Sequence, residues 1–237
     1  NIHADYELVG DAATVLGQLH KVMQVKPGAE GWLEQIKTWK QEYSIEYGER
    51  ESNGKPRPQY IIEQLCEATE SNTIVTTGVG QHQMWAMLYW TYKEPRTWVS
   101  SHGLGTMGYG LPAAIGARFA ASDDQRVVCI DGDGSFLMTL QELSVAVREE
   151  LDITVVVLNN AGIGMVRQWQ DAFYGHRRMA SEYPWVPDFS KIADAFGAKG
   201  FLLENVEDVE SIIREAIEYK GPSVIDARID PAENVFP

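Results

Sequence analysis

The alternation of apolar and polar positions predicts short strands and amphipathic helices in turn along most of the chain. Several strand candidates are continuous apolar runs rich in Val and Ile, a composition typical of strands that are buried on both faces. Strands that alternate with helices indicate an α/β fold, a parallel sheet with helices on both faces. The predicted strands are 73–77, 97–100, 126–131, 153–159, 199–203 and 223–228, and the predicted helices are 59–69, 81–92, 108–121, 136–149, 164–173, 188–196 and 206–219.

The pattern before residue 59 is less regular. Residues 1–6 have the character of the end of a strand, 10–23 of a short helix, and 30–47 of a polar helix with aromatic residues at helical spacing. Residues 48–58 are charged and rich in turn formers, which is typical of a linker. We therefore interpret 1–58 as the remnant of another domain plus a linker, and 59–237 as the main domain.

Composition narrows the functional classes. The formal net charge is −14 over 237 residues, so the chain lacks the basic surface that nucleic-acid binding requires. No apolar run approaches the roughly 20 residues of a membrane span, so no membrane partner is expected. Cys66 and Cys129 lie in apolar surroundings and are expected to be buried, reduced thiols of a cytoplasmic protein. An anionic ligand would need local positive charge from a metal ion or from helix N-termini.

Polar residues of chemical interest follow two neighbouring predicted strands. Gly132-Asp133-Gly134 comes after strand 126–131, and Asn160 comes at the end of strand 153–159. Because the carboxyl ends of adjacent parallel strands meet at one edge of a sheet, Asp133 and Asn160 are expected to lie close together. Their oxygen atoms suit Mg²⁺. The glycines permit a tight turn, and the amides of Gly134 and Ser135 would begin a helix, where a phosphate group is favoured.

Two other interpretations of this motif compete with a metal site. An isolated Gly-Asp-Gly sequence is usually a plain strand-turn-helix connection with an aspartate cap. A dinucleotide-binding turn requires a third glycine, and Leu137 stands at that position. An acidic residue between the two glycines would also repel a diphosphate group unless a cation lay between them.

The spacing from Gly132-Asp133-Gly134 to Asn159-Asn160 resembles the motif of thiamine-diphosphate enzymes. The resemblance implies that Asp133, Asn160 and the backbone carbonyl of Gly162 bind Mg²⁺, which in turn binds the cofactor diphosphate.

Three further segments resemble the acetolactate synthase branch of this family, and the first two are 78–85 and 103–116. In 103–116, the resemblance implies that the Gly105 carbonyl accepts a hydrogen bond from the 4′-amino group of the cofactor. Met107 would be the apolar support that bends the cofactor. In 78–85, backbone amides and two polar side chains would donate to the diphosphate, and the residues implied are Val79, Gly80, Gln81 and His82.

The third segment, 162–169, contains a Gly-Met-Val-x-x-Trp run. The resemblance implies that Gly164, Met165 and Val166 contact the diphosphate and the thiazolium, and that Trp169 shapes the substrate channel. Members of the branch often carry His at the position of Gly162. A ligand carbonyl needs no side chain, so this departure leaves the implied magnesium site intact.

The activity implied by the resemblance is that of a thiamine-diphosphate carboligase. Pyruvate would be decarboxylated and its two-carbon unit joined to pyruvate or 2-oxobutanoate, at the start of branched-chain amino-acid synthesis. Pyruvate oxidase, glyoxylate carboligase, a 2-oxo-acid decarboxylase and a non-catalytic cofactor-binding module are the alternatives.

Several parts of such an enzyme have no candidate in this sequence. The resemblance implies that the activating glutamate comes from the N-terminal pyrimidine domain of a partner subunit. It also implies that FAD binds to a central domain, which is represented here at most by residues 1–23 of the 1–58 remnant and linker. The chain alone is therefore expected to show little or no turnover. A homo-oligomer, a possible regulatory subunit, and a cytoplasmic location (plastid in a plant or alga) are also implied.

Overall fold

A computed structural model describes residues 3–23 and 28–235, which fall into two compact units, Asn1–Glu46 and Tyr47–Pro237. The first unit contains the helices α1 (Ala12–Val22) and α2 (Glu30–Glu42), and neither helix has a buried residue. The carboxylate of Asp11 caps α1 by accepting from the amide of Thr14. The predicted strand at 1–6 is wrong over residues 3–6, which form no strand, while residues 1 and 2 lie outside the described part.

The second unit is built on a parallel sheet with helices packed against both faces, which confirms the predicted fold class. Its elements are β1 (Glu51–Ser52), β2 (Lys55–Pro56), α3 (Pro58–Glu67), β3 (Ile74–Thr77), α4 (Gln81–Tyr89), β4 (Trp98–Ser100), α5 (Gly110–Ala120), β5 (Val127–Gly132), α6 (Asp133–Phe136), α7 (Leu143–Arg148), β6 (Ile153–Asn159), α8 (Gly164–Phe173), α9 (Phe189–Phe196), β7 (Lys199–Leu203), α10 (Val209–Glu218) and β8 (Ser223–Arg228).

The order of strands in the sheet is β4-β3-β5-β6-β8-β7, and all neighbouring strands are parallel. The chain runs outward from β3 to β4 and then returns to the other side of β3 as β5. This reversal opens a crevice at the carboxyl ends of β3 and β5, where ligands bind in sheets of this kind.

Each face of the sheet carries its own hydrophobic core. Successive side chains of a strand point to opposite faces, so Val128 and Ile130 of β5 enter one core while Val127 and Cys129 enter the other. Helices α3, α4 and α10 cover the first core, and α5, α7 and α9 cover the second. None of the helices in the described ranges has the length and apolar character needed to span a bilayer.

The division between the two units differs from the predicted boundary at residue 58. The predicted linker contains the antiparallel hairpin β1–β2, which belongs to the second unit. Asp230 accepts hydrogen bonds from Ser52 (2.7 Å) and Asn53 (2.6 Å), and Arg57 forms an ion pair with Glu233 at 2.6 Å. Charged and turn-forming residues therefore bind this segment to the residues that follow β8. Assignment of the first unit to a central domain remains a prediction.

The predicted helix 136–149 is also different in the structure. Helical structure begins earlier, at Asp133, and is interrupted between α6 and α7. The interruption has a cause outside the segment, because Ser135 Oγ accepts from the amide of Gly108 (2.9 Å) and Thr139 Oγ1 donates to the Gly108 carbonyl (2.9 Å). These two bonds join the segment to the glycine-rich loop before α5 and hold it away from regular helical geometry.

Candidate functional site

A cleft with about 670 Å³ of open space lies at the carboxyl ends of β3, β5 and β6. Every residue predicted to contact the cofactor lines this cleft. They are Val79, Gly80, Gln81, His82, Gly105, Met107, Gly132, Asp133, Gly134, Ser135, Asn160, Gly162, Gly164, Met165 and Val166.

The two longest helices that begin at the cleft point their N-termini into it. Helix α4 starts at Gln81 after β3, and α8 starts at Gly164 after β6. The free amides and the dipole of a helix N-terminus favour a negatively charged group. None of the lining residues that the structure describes is Lys or Arg. Positive potential in the cleft must therefore come from helix N-termini, backbone amides or a bound cation.

Asp133 is a buried carboxyl group held by backbone amides. Its relative exposure is 1%, its Oδ1 accepts from the amide of Gly134 at 2.8 Å, and its Oδ2 accepts from the amide of Gly162 at 3.0 Å. Burial raises the pKa of Asp133 to about 7, although these amides act in the opposite direction. A cation beside this carboxyl group would restore its charged form, so the environment of Asp133 fits a metal ion.

Two further oxygen atoms lie on the loop after β6. The Asn160 side chain donates through Nδ2 to Gln81 Oε1 at 3.0 Å, which leaves the amide oxygen for the cleft. Gly162 lies opposite Glu182 in an isolated antiparallel bridge, whose hydrogen bonds are made by the neighbouring residues. The Tyr183 amide donates to the Ala161 carbonyl, and the Ile163 amide donates to the Ser181 carbonyl, both at 2.9 Å. The Gly162 carbonyl is therefore outside this ladder and available to a ligand.

The donor set favours a hard cation. It consists of a carboxylate, an amide oxygen and a backbone carbonyl. The described ranges contain no group of three or more His, Cys, Asp or Glu side chains that could bind a metal on its own. Oxygen donors of this kind suit Mg²⁺, which usually completes its octahedral shell with water and phosphate oxygens. The residues at this edge of the sheet therefore fit the predicted magnesium site.

The turn that presents Asn160 and Gly162 is held from behind by β8. Ala161 has a φ of 55°, a left-handed conformation that non-glycine residues rarely adopt. Asn159 Oδ1 accepts from the amide of Ala161 (3.3 Å), and Asn159 Nδ2 donates to the buried Asp226 (2.8 Å). Asp226 is itself paired with Arg228 at 2.8 Å. This chain of contacts compensates for the backbone strain at Ala161.

His82 lines the cleft as a neutral side chain. Burial lowers the pKa of His82 to about 4, so the imidazole carries no charge near pH 7. Its Nε2 lies 3.3 Å from Oδ1 of the buried Asp131 without forming a hydrogen bond. His82 can contact an anionic group as a neutral imidazole, but it adds no positive charge to the site.

The structure adds detail at two predicted residues, whose roles toward a ligand stay predictions, and several residues at the cleft were missed. The Gln81 side chain, predicted to donate to a diphosphate, donates to Gln168 Oε1 at 2.8 Å in this structure. Trp169 does not line the cleft, and 57% of its surface is exposed on α8. Among the missed residues, Trp85 lies one helical turn after Gln81, so the periodicity of α4 could have indicated it. Leu158 and Ile163 also line the cleft, and both directly adjoin residues of the predicted motifs. Tyr183, which approaches Gly134, lies outside every predicted motif.

Tyr183 approaches the cleft from the segment after α8. A Cβ atom on Gly134 would lie 2.7 Å from the Tyr183 hydroxyl and 3.4 Å from Met107 Cε. Burial, followed by the charge of Asp133, raises the pKa of Tyr183, so the phenol stays protonated. The hydroxyl can therefore donate a hydrogen bond to a group bound beside Gly134.

Gly164→Ala is expected to lower the free energy of unfolding by about 1–3 kcal/mol. An added Cβ would overlap Gln81 Oε1 and Asn160 Nδ2, two atoms that hydrogen-bond to each other. Urea denaturation measures the effect. Gly116→Ala is the matched control, because a Cβ there meets nothing within 4 Å and is expected to raise stability by about 0.5–1 kcal/mol. Equal stability changes in the two variants would contradict the crowding that the structure shows at Gly164.

Comparison with known proteins agrees with this geometry. The family described as "Thiamine pyrophosphate enzyme, C-terminal TPP binding domain" matches residues 78–227. The mitochondrial acetolactate synthase catalytic subunit of Saccharomyces cerevisiae is 45% identical over 96% of this chain and 33% of its own length. The acetolactate synthase isozyme 3 large subunit of Escherichia coli is 39% identical over 100% of this chain and 42% of its own length. The chain thus spans about a third to two-fifths of these curated relatives.

A solved structure shows the same fold at lower sequence identity. Benzoylformate decarboxylase from Polynucleobacter necessarius superposes with a TM-score of 0.74 and 22% identity, over 82% of this chain and 36% of that chain. The family match begins at Gly78, directly after β3, and ends at Ala227 in β8. Its span therefore contains all the residues that line the cleft, including those at the carboxyl ends of β5 and β6. The chain therefore belongs to the thiamine pyrophosphate enzymes and carries their C-terminal TPP-binding domain.

Proposed function

We propose that this chain is the magnesium- and diphosphate-binding part of an acetolactate synthase catalytic subunit. Such an enzyme is a carboligase that decarboxylates pyruvate and joins the two-carbon unit to pyruvate or 2-oxobutanoate. The observation that supports this most strongly is the convergence of Asp133, Asn160 and Gly162 at one sheet edge, in a chain whose curated relatives are named acetolactate synthases.

In this proposal, the polar groups that line the cleft bind the diphosphate. Asp133, the Asn160 oxygen and the Gly162 carbonyl hold Mg²⁺, and the N-termini of α4 and α8 face the phosphate oxygens. The net charge of −14 makes such local sources of positive potential necessary, because the overall field of the protein repels an anion.

The apolar side chains that line the cleft are proposed to orient the organic part of the cofactor. Met107, Leu158, Ile163 and Val166 line it, and Met107 lies beside Gly134, where it can support a bent cofactor. The Gly105 carbonyl is proposed to accept from the aminopyrimidine. When bound, thiamine diphosphate supplies the electron sink for decarboxylation, and the residues of this chain hold it in position and exclude water.

The rim of the cleft is proposed to meet the substrate. Trp169 and Val166 are three residues apart on α8 and are 57% and 42% exposed, so they share one exposed face near the cleft mouth. A large, exposed aromatic side chain at that place can shape a channel for a small 2-oxo acid.

The rest of the enzyme is proposed to lie outside this chain. The relatives are more than twice as long, which leaves room for a pyrimidine-binding domain that supplies the activating glutamate and for an FAD-binding central domain. We also propose a homo-oligomer, in which a partner subunit's pyrimidine domain covers the cleft, and a possible regulatory subunit.

The test is a product assay on full-length protein that contains this chain. Pyruvate is supplied with thiamine diphosphate and Mg²⁺, and acetolactate and acetaldehyde are quantified. We expect acetolactate as the main product, with its formation abolished by EDTA. Acetaldehyde without acetolactate would show a decarboxylase instead, and the absence of any pyruvate consumption would favour a non-catalytic cofactor-binding module.

A further inference from the structure

Gln168 lies behind the cleft, on α8, and its side-chain amide joins two parts of the chain. Its Nε2 donates to the carbonyl of Val235 at 2.7 Å, and its Oε1 accepts from the amide of Val235 at 3.1 Å. The same Oε1 accepts from Gln81 Nε2 at 2.8 Å. Gln168 itself is half-buried and does not line the cleft.

The backbone of Val235 fixes the orientation of the Gln168 side-chain amide. Its N–H requires an acceptor and its carbonyl requires a donor, so the Gln168 oxygen must face both the Val235 amide and Gln81. Gln81 therefore presents its NH₂ group to Gln168 and its oxygen to Asn160. A reversed Gln81 would place two NH₂ groups against each other at Asn160 and two oxygens against each other at Gln168.

The orientation of Gln81 decides which Asn160 atom reaches the cleft. Asn160 donates through Nδ2 to Gln81 at 3.0 Å, so its Oδ1 is the end left for a ligand. Without that bond, the amide of Asn160 can rotate and present NH₂, which cannot ligate a cation. Gln81 Nε2 has two other acceptors, Glu233 O and Asn234 Oδ1, but at 3.3 and 3.4 Å these are weaker contacts than the one with Gln168.

The segment that carries Val235 is itself firmly held. Asp230 accepts from Ser52 and Asn53, and Glu233 pairs with Arg57 at 2.6 Å. Val235 is 3% exposed and packs in the core that also contains α3 and α4. The Gln168 side-chain amide therefore contacts a firmly held backbone segment on one side and the Gln81 side chain on the other.

We propose that Gln168 is a positioning residue of the metal site: by accepting from Gln81, it orients Gln81 and so turns the Asn160 oxygen towards the cleft. The inference rests on the function proposed above, because it takes Asn160 Oδ1 as a ligand of the cation. It adds a residue that touches neither the cleft nor its proposed contents.

The first test observes Asn160 directly and needs no cofactor. The side-chain NH₂ signals of Asn160 are assigned in ¹⁵N-labelled full chain by their loss in Asn160→Asp. In Gln168→Ala, these signals are expected to shift and to exchange with deuterium roughly fivefold faster, because their acceptor is no longer held in place. In Gln168→Glu the shift should be smaller, since one carboxylate oxygen still accepts from Gln81 and from the Val235 amide, while the donation to the Val235 carbonyl is lost.

Gln64→Ala is the matched control for this test. It removes a glutamine from a helix and breaks one side-chain hydrogen bond, to Glu67 (2.8 Å), but does not touch Gln81. The Asn160 signals should not move in this variant. Unchanged Asn160 signals in Gln168→Ala, or equal perturbation in Gln168→Glu and Gln168→Ala, would overturn the proposal.

The second test measures magnesium-dependent binding of thiamine diphosphate to the same variants by calorimetry. Gln168→Ala is expected to bind about tenfold more weakly, the usual effect of losing a residue that orients a metal ligand. Gln168→Glu should lose less affinity than Gln168→Ala, and Gln64→Ala should bind as the original chain does. Equal affinity in Gln168→Ala and the original chain would overturn the proposal. If neither the chain nor the full-length protein that contains it binds the cofactor, the proposed function fails, and the Asn160 signals still decide whether Gln168 sets the orientation.

Discussion

Asp133→Ala is expected to weaken magnesium-dependent binding of thiamine diphosphate by more than about 100-fold, since even residues that only orient metal ligands account for about 10- to 100-fold. The variant removes the carboxylate that is proposed to bind the metal. It also removes the acceptor of the Gly162 amide, which positions the proposed carbonyl ligand. Calorimetric titration of the cofactor, with Mg²⁺ and then with EDTA, measures the change.

Asp123→Ala provides the control for that titration, because Asp123 is an exposed carboxylate before β5. It alters the net charge by the same amount as Asp133→Ala and should leave the affinity unchanged. If both variants lose the same affinity, the effect comes from overall charge. If Asp133→Ala binds as the original chain does, Asp133 is not a metal ligand.

Phe136→Ala is expected to lower the free energy of unfolding by about 3–5 kcal/mol, the usual effect of removing a buried phenylalanine. Phe136 is fully buried, and its ring meets that of Phe189 edge to face, with centroids 5.4 Å apart. It is also the last residue of α6, which begins at Asp133, so the cavity would open under the short helix that carries the proposed metal ligand. Urea unfolding followed by tryptophan fluorescence measures the loss.

Phe119→Ala is the comparison for this variant, because Phe119 on α5 is 62% exposed and its removal should change stability by less than about 0.5 kcal/mol. A loss below about 1 kcal/mol in Phe136→Ala would mean that the surrounding side chains collapse into the space, and that Phe136 does not support the Asp133 turn.

The elements that the sequence predicts well are those whose local pattern has one physical explanation. Strand Ile153–Asn159 and helix Gly164–Phe173 have the bounds that were predicted. The strand is an apolar run buried on both faces, and the helix follows a glycine-containing turn. The meeting of Asp133 and Asn160 at one edge followed from the parallel order of their strands, because a parallel sheet brings all its carboxyl ends together.

The differences arise where contacts between distant residues override the local pattern. The helix predicted at 136–149 is interrupted because Thr139 donates to Gly108, a residue far away in the sequence. The Gln81 amide points to Gln168 because α8 and the segment after β8 lie beside α4. Residues 48–58, which have the composition of a linker, are ordered by Asp230 and Glu233. None of these partners can be identified from the periodicity of the segment itself.

The glycines around Asp133 and Asn160 are spatially restricted, whereas the side chains at the mouth of the cleft are not. There is no room for a side chain at Gly134, Gly162 or Gly164. Binding of the cofactor at these positions therefore depends on the shape of the main chain. Side chains at the mouth, such as Val166 and Trp169, are exposed and lack that restriction. Under the proposed function, substrate choice could therefore change by exchange of mouth residues while the main-chain shape that binds the cofactor is kept. Proteins with such a site could change their substrate by mutation at the mouth of the cleft and still bind the same cofactor.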